Sequence, residues 1–264
     1  MSVSAVAALA RRDFEVTRSY RLAFAFDIFW GVIDLMLYFF ISKIVDPGTS
    51  ELGAAPSYFA FAVAGIVMSL VVYSTSLDVA YAVRNEQLTG TLEIVCAQPL
   101  RSPELAVGIT TFPLAFAVGR AVTYLVVAVL ALGLDAPEAD WVGVVAMLLA
   151  AGFAFAPIGV LAAGAAIAFK RATSVAGVIV FAMTFVSGAL FPVSVLPDWL
   201  QMIGEAMPTW FAFEGLRDAL FEGEGWGTDA AALVAFGALA LPCSIWLLTV
   251  ALGWAKRQGT LAQY

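Results

Sequence analysis

The sequence predicts an all-α integral membrane protein, and three observations carry that reading. The 264 residues are 62% hydrophobic and only 12% charged, where a soluble domain carries about 25% charge. The mean hydropathy is +0.94. The apolar runs are long and do not alternate with polar residues. That excludes a barrel and leaves helices of about 20 apolar residues as the way to satisfy backbone groups in hydrocarbon. The whole chain, 1–264, reads as a single transmembrane domain.

Six transmembrane helices are predicted, over 22–44, 58–80, 105–134, 141–169, 175–191 and 230–254. The segment 3–21 before them is interrupted by Arg11, Arg12 and Asp13 and lacks the hydrophobic core and small-residue cleavage site of a cleavable signal. It reads as a partly amphipathic interfacial helix, with Arg11, Arg18 and Arg21 near lipid phosphates. The third and fourth spans exceed the bare requirement, which implies tilt, kinks or interfacial extensions. Pro157 in the fourth and Pro242 in the sixth remove a backbone donor and are natural kink sites. Gly152, Ala156, Gly159 and Ala163, three or four apart along the fourth span, permit close helix approach, either to a second copy or within the chain.

Two polar inlays interrupt this pattern. Residues 84–104 carry Glu86, Glu93, Arg101 and Glu104 among Leu88, Leu92, Ile94 and Val95, so they read as a short amphipathic helix at the membrane surface. Such a helix is where a membrane protein would receive a push from a soluble partner. Residues 192–227 hold two short segments divided by Pro208. The first sets Trp199, Leu200, Met202 and Ile203 beside Asp198, Gln201 and Glu205. The second sets Trp210, Phe211, Phe213, Leu216 and Leu220 beside Glu214, Arg217 and Asp218. Both are too polar to span but aromatic enough for the interface.

Ten of the 13 basic residues fall on one side if the N-terminus is inside: Arg11, Arg12, Arg18, Arg21, Arg84, Arg101, Lys170, Arg171, Lys256 and Arg257. Only Lys43 and Arg217 lie outside, and Arg120 is within a span, so both termini are predicted to be cytoplasmic. Twelve of the 20 acids, from Asp46 and Glu51 to Asp229, gather on the outer face and dominate the net charge of −7. They read as a solvated outer surface, as an adaptation to external salt, or as an attraction for cationic substrates. Nothing in the pattern points to nucleic acid.

The composition excludes most enzyme chemistry. With no histidine, a Ser-His pair, a histidine zinc site and a histidine-ligated haem are ruled out. Cys96 and Cys243 are far apart in sequence and depth, so both read as apolar fillers. The run from Gly159 to Gly164 has the glycine spacing of a phosphate-binding loop but lacks its Lys and Ser/Thr, so the chain has no nucleotide site of its own. No metal site is predicted.

Ionisable residues inside spans require partners or a polar cavity. Asp27 and Asp34, seven apart, share one face of the first span. Asp78 lies near the cytoplasmic end of the second, and Arg120 near the centre of the third. The depths predict that Arg120 pairs with Asp34, or failing that with Asp27. Contact with substrate is the competing role.

The segment Glu86-Gln-Leu-Thr-Gly-Thr-Leu-Glu93, followed by Ala97-Gln-Pro-Leu100 and Ser102-Pro-Glu104, resembles the coupling region of type-2 ATP-binding-cassette exporter permeases. In that family an acidic residue, then Gly-Thr-Leu-Glu, then a small-x-Pro step, stand between the second and third spans. Ser187-Gly-Ala-Leu-Phe-Pro192, Leu196-Pro-Asp-Trp-Leu200, Pro208 and Glu214-Gly-Leu-Arg217 resemble the family's external region, and the ending from Lys256 to Tyr264 resembles its cytoplasmic tail. Order and spacing agree over nearly the whole chain.

The resemblance implies a transport subunit, not an enzyme, that pairs with a second permease copy, identical or different. It also implies separate cytoplasmic ATPase subunits, which would hold ATP and magnesium. The setting the resemblance implies is membrane lipid, in the plasma (inner) membrane of a prokaryote. The coupling interface would comprise Arg84, Glu86, Gln87, Leu88, Thr89, Gly90, Thr91, Leu92, Glu93, Val95 and Pro99. Within it Gly90 permits a tight bend, Thr89 or Thr91 caps the following helix, and Leu88, Leu92 and Val95 form one apolar face. The opposing reading is that Leu92 and Val95 anchor the loop in lipid. Pro192, Pro197, Trp199, Pro208, Trp210, Glu214 and Arg217 would form the external gate on re-entrant helices, or else an interfacial anchor. An apolar lining favours a hydrophobic, amphipathic or lipid-linked cargo moved outward. The alternative is an ion-coupled secondary transporter or a membrane scaffold, but no repeat relates the two halves.

Overall fold

The computed structural model describes residues 3–44, 52–98, 101–169 and 171–258. Asp46, Glu51, Pro99, Lys170 and the tail 259–264 lie outside the described residues. Among those described, eleven α-helices and no strand are found: α1 (Val3–Ser19), α2 (Arg21–Ile41), α3 (Tyr58–Tyr73), α4 (Val79–Thr89), α5 (Thr91–Ala97), α6 (Ser102–Leu130), α7 (Trp141–Ala168), α8 (Ala172–Val186), α9 (Asp198–Glu205), α10 (Pro208–Phe221) and α11 (Trp226–Gln258).

Among the described residues, four helical stretches are long and apolar enough to cross a membrane: Tyr58–Thr89, Ser102–Leu130, Trp141–Ala168 and Trp226–Gln258. The protein is thus a membrane-embedded, multi-pass helical bundle. The first of these stretches joins α3 to α4 through a π-helical turn, Ser74–Asp78, so the second span runs on into the polar inlay without a break. The apolar run expected over 175–191 is shorter than predicted. It ends at Val186 because Gly188 takes a left-handed conformation, φ +79°, and the chain turns back. The third span likewise ends at Leu130 and not at Leu134. Both α7 and α11 continue through their prolines, Pro157 and Pro242.

Among the described residues, two apolar cores hold the bundle. The larger contains Leu35, Met68, Phe155, Phe213, Leu216 and Leu233, and so unites α2, α3, α7, α10 and α11. The second contains Leu9, Val83, Leu92, Leu105, Val160 and Leu252, and brings the inlay helices α4 and α5 together with α1, α6, α7 and α11. The first helix does not stand alone: Leu9 fills the space left by Gly108 of α6, and Phe14 meets Phe112 edge-on at 6.5 Å. The small residues of α7 serve packing within the chain. The Leu114 side chain lies against Gly152, and the Thr75 carbonyl lies where a side chain on Gly159 would begin.

Candidate functional site

The inlay folds as a corner. α4 ends at Thr89, Gly90 turns the chain with φ +76° and ψ 3°, and α5 follows. A side-chain-bearing residue is strained in that conformation, so the glycine is required by the backbone, although an added Cβ would meet no neighbouring group within 4 Å among the described residues. The expected threonine cap on α5 is not formed. Thr89 Oγ1 instead donates to the Asn85 carbonyl at 2.9 Å, and Thr91 Oγ1 lies 3.0 Å from the Thr89 hydroxyl and donates to the Glu86 carbonyl at 3.4 Å. Both hydroxyls therefore serve the open end of α4, where carbonyls have lost their helical partners.

The predicted single apolar face is split. Leu92 is 2% exposed and Val95 packs half-buried beside it in the second core, whereas Leu88 is 46% and Ile94 64% exposed. The left-handed Gly90 interrupts the 3.6-residue phase that would have aligned Leu88 with Leu92. Polar bonds fix the inner side of the corner. Arg84 Nη1 donates to Gln87 Oε1 at 2.6 Å, and buried Gln87 reaches the Ile167 carbonyl at 3.5 Å. Arg12 of α1 pairs with Glu86 at 2.7 Å, and Lys256 of α11 donates to the Cys96 carbonyl at 3.3 Å. Burial pushes the Cys96 thiol up, in keeping with a filler. Leu88, Thr89, Thr91, Glu93 and Ile94 remain exposed on the outer side. Pro99 lies outside the described residues.

The intramembrane charges pair differently from the first expectation. Arg120 binds Asp27, not Asp34, and its guanidinium lies 5.0 Å from the Phe116 ring centre. The register of α2 on α6 explains the choice. Tyr124, one turn beyond Arg120, presses its ring into the space beside Gly31 and donates to the Asp27 carbonyl at 3.2 Å. Asp34 lies two turns further along α2, has no hydrogen-bond or ionic partner among the described residues, and lines a cavity between α2, α3 and α8. Asp78 accepts a hydrogen bond from Ser74 across the π-helical turn. Hydropathy alone does not mark this turn. Its signal is the run Ser74-Thr-Ser76, buried in an apolar span with Asp78 just beyond.

The external-region residues are distributed over the turn after α8, α9 and α10. Arg217, expected on the outer side of the membrane, is 0% exposed. Its Nη1 donates to Glu214 at 2.7 Å and its Nη2 to the Gly188 carbonyl at 2.7 Å, and its guanidinium lies 3.6 Å from the centre of the Phe61 ring. It thereby ties α10 to α3 and to the turn after α8. The same turn is held by a hydrogen bond between Ser187 and Thr209. Pro197 directly precedes α9 and Pro208 opens α10, where a missing donor is harmless. Pro192 sits before a short 3₁₀ turn, Val193–Val195. Trp199 is 64% exposed, whereas Trp210 is half-buried edge-on to Phe211 at 5.1 Å.

Asp218, beside Arg217, is pushed up to about 6 by burial first and then by Glu222, Asp229 and Glu214, with Arg217 opposing. A carboxyl raised in the folded state favours folding fully below its unfolded value, and that contribution fades as pH rises through about 6. Asp218→Asn is therefore expected to raise the thermal midpoint at about pH 7.5 and to flatten its change between about pH 4 and 6.5. Unfolding scans across that range check it, and an unchanged pH profile would show that Asp218 does not titrate there.

No curated protein matches the chain. The sequence model of the ABC-2 type transporter matches residues 5–221, which include the coupling corner, the Asp27–Arg120 pair and both α9 and α10. The chain belongs to that family, the membrane permease component of type-2 ATP-binding-cassette transporters.

Proposed function

We propose that this permease is one half of an ATP-driven exporter. In this reading six helical stretches cross the inner membrane of a prokaryote: α2, the joined α3 and α4, α6, α7, α8 and α11. Both termini are cytoplasmic, two permeases pair, and a separate ATPase subunit that binds ATP and magnesium docks at the α4–α5 corner. The cargo is hydrophobic, amphipathic or lipid-linked and leaves outward past α9 and α10.

The two-sided corner carries the proposal. Its inner side is bonded to α1, α7 and α11, so a force on it reaches the bundle without being absorbed by a loose loop. Its outer side leaves Leu88 and Ile94 uncovered, and apolar side chains of this kind anchor a protein interface when a partner groove covers them. Nucleotide state shifts the permease only through contacts that differ between conformations, and a rigid corner transmits such a difference.

Leu88→Asp combined with Ile94→Asp is expected to weaken capture of the ATPase subunit by at least about tenfold, while the thermal midpoint of the permease alone stays near that of the wild type. Leu92→Asp is a contrasting variant: it buries a charge in the second core and destabilises the permease itself. Co-purification and ATP-driven transport in vesicles measure the outcome. Normal assembly and transport by the Leu88/Ile94 variant would refute docking at this corner.

A further inference from the structure

The cavity between α2, α3 and α8 has a volume of about 950 Å³, a size that accommodates a drug-sized molecule. Trp30 and Tyr38 of α2, Tyr58 and Tyr73 of α3, and Phe181 and Phe185 of α8 supply an aromatic lining. Two carboxylates reach it. Asp27 is neutralised by Arg120, which leaves Asp34 as the lining carboxylate without an ionic or hydrogen-bond partner among the described residues. The cavity therefore offers a carboxyl group without a counter-ion among the described residues, set among π faces.

We propose that this cavity is a binding site for a bulky organic cation, with Asp34 as the counter-ion and the aromatic rings as the cage. The inference rests on the exporter reading for its biological sense and names the charge class of the cargo.

Four chemical arguments select this ligand. A carboxylate within a membrane span is costly unless paired, so a cation gains most where the protein offers no partner of its own. Aromatic faces attract cations through their quadrupole, and a bulky, poorly hydrated cation loses little hydration in reaching them. A metal ion is a poor fit, because calcium or magnesium takes six or more oxygen ligands and a single free carboxylate supplies too few. An anion would meet Asp34 with like charge, and a neutral lipid chain would fill the space but leave the carboxylate unpaired.

The test compares two ions of the same shape and opposite charge, tetraphenylphosphonium and tetraphenylborate. Their binding to the full chain in nanodiscs is measured by equilibrium dialysis, with protein-free nanodiscs subtracted. The cation is expected to bind saturably and at least about tenfold more tightly than the borate. Asp34→Asn is expected to remove at least about tenfold of the cation's affinity, and Asp34→Glu to retain it. Equal binding of both ions, or undiminished cation binding by Asp34→Asn, overturns the proposal. If Asp34→Asn does not fold, the comparison of the two ions on the unaltered protein decides. No ATPase subunit is present in the assay. A failure here leaves docking at the α4–α5 corner standing, and failed docking leaves this binding result intact.

Discussion

Arg217→Ala is expected to lower the stability of the folded permease by about 3–5 kcal/mol, the range for removing one partner of a buried, hydrogen-bonded charge pair. The side chain is completely enclosed, so its loss opens a cavity and strands three groups together. Glu214 loses its cation, the Gly188 carbonyl loses its donor, and the Phe61 face loses its stacked partner. Arg217→Lys should not rescue the fold, because an ammonium has neither the planar face nor the divergent donors that reach Glu214 and Gly188 together. Thermal unfolding in detergent, read alongside the yield of monodisperse protein, provides the measurement. An alanine variant within about 1 kcal/mol of wild type would show that these bonds are not formed in the native bundle.

The second large effect concerns Arg120 and Asp27. A lone arginine at this depth costs at least about 2.5 kcal/mol on insertion scales, and Asp27 offsets part of it. Arg120→Ala and Asp27→Ala should each reduce stability. The double variant should recover about 1–2 kcal/mol relative to additivity, since contacting residues couple by roughly 0.5–3 kcal/mol. The same cycle built with Asp34 should be additive, because Asp34 makes no bond to Arg120. Additive losses for Asp27 and Arg120 would sever the pair.

Local features of this chain were readable from sequence where one residue type dictates one backbone. Gly90 bends the inlay, Pro208 starts a helix, and the apolar runs become helices. The family was readable because its motifs occupy contiguous stretches. What was not readable depends on distant segments meeting. Arg217 looks external among polar neighbours, yet Gly188 and Phe61, which enclose it, come from a remote turn and from α3. The choice of Asp27 over Asp34 follows from Tyr124 settling against Gly31, a contact between helices about ninety residues apart in the chain. Periodicity alone put Leu88 and Leu92 together, and a single left-handed residue separated them. The fifth helix was predicted too long because composition remains apolar through Ala189 and Leu190, and only the conformation of Gly188 marks the stop.

The π-helical turn at Ser74–Asp78 has a geometric consequence for the second span. A π-turn closes its hydrogen bond one residue later than an α-turn, and each residue of an α-helix advances the azimuth by roughly 100°. The stretch therefore consists of two half-shafts joined out of phase. Above the joint Leu70 and Tyr73 look into the aromatic cavity, and below it Val79 and Val83 grip the second core. If the proposed ATPase docking delivers a torque at the Gly90 corner, winding or unwinding one residue at Ser74–Asp78 would convert rotation at one end into a new facing of side chains at the other.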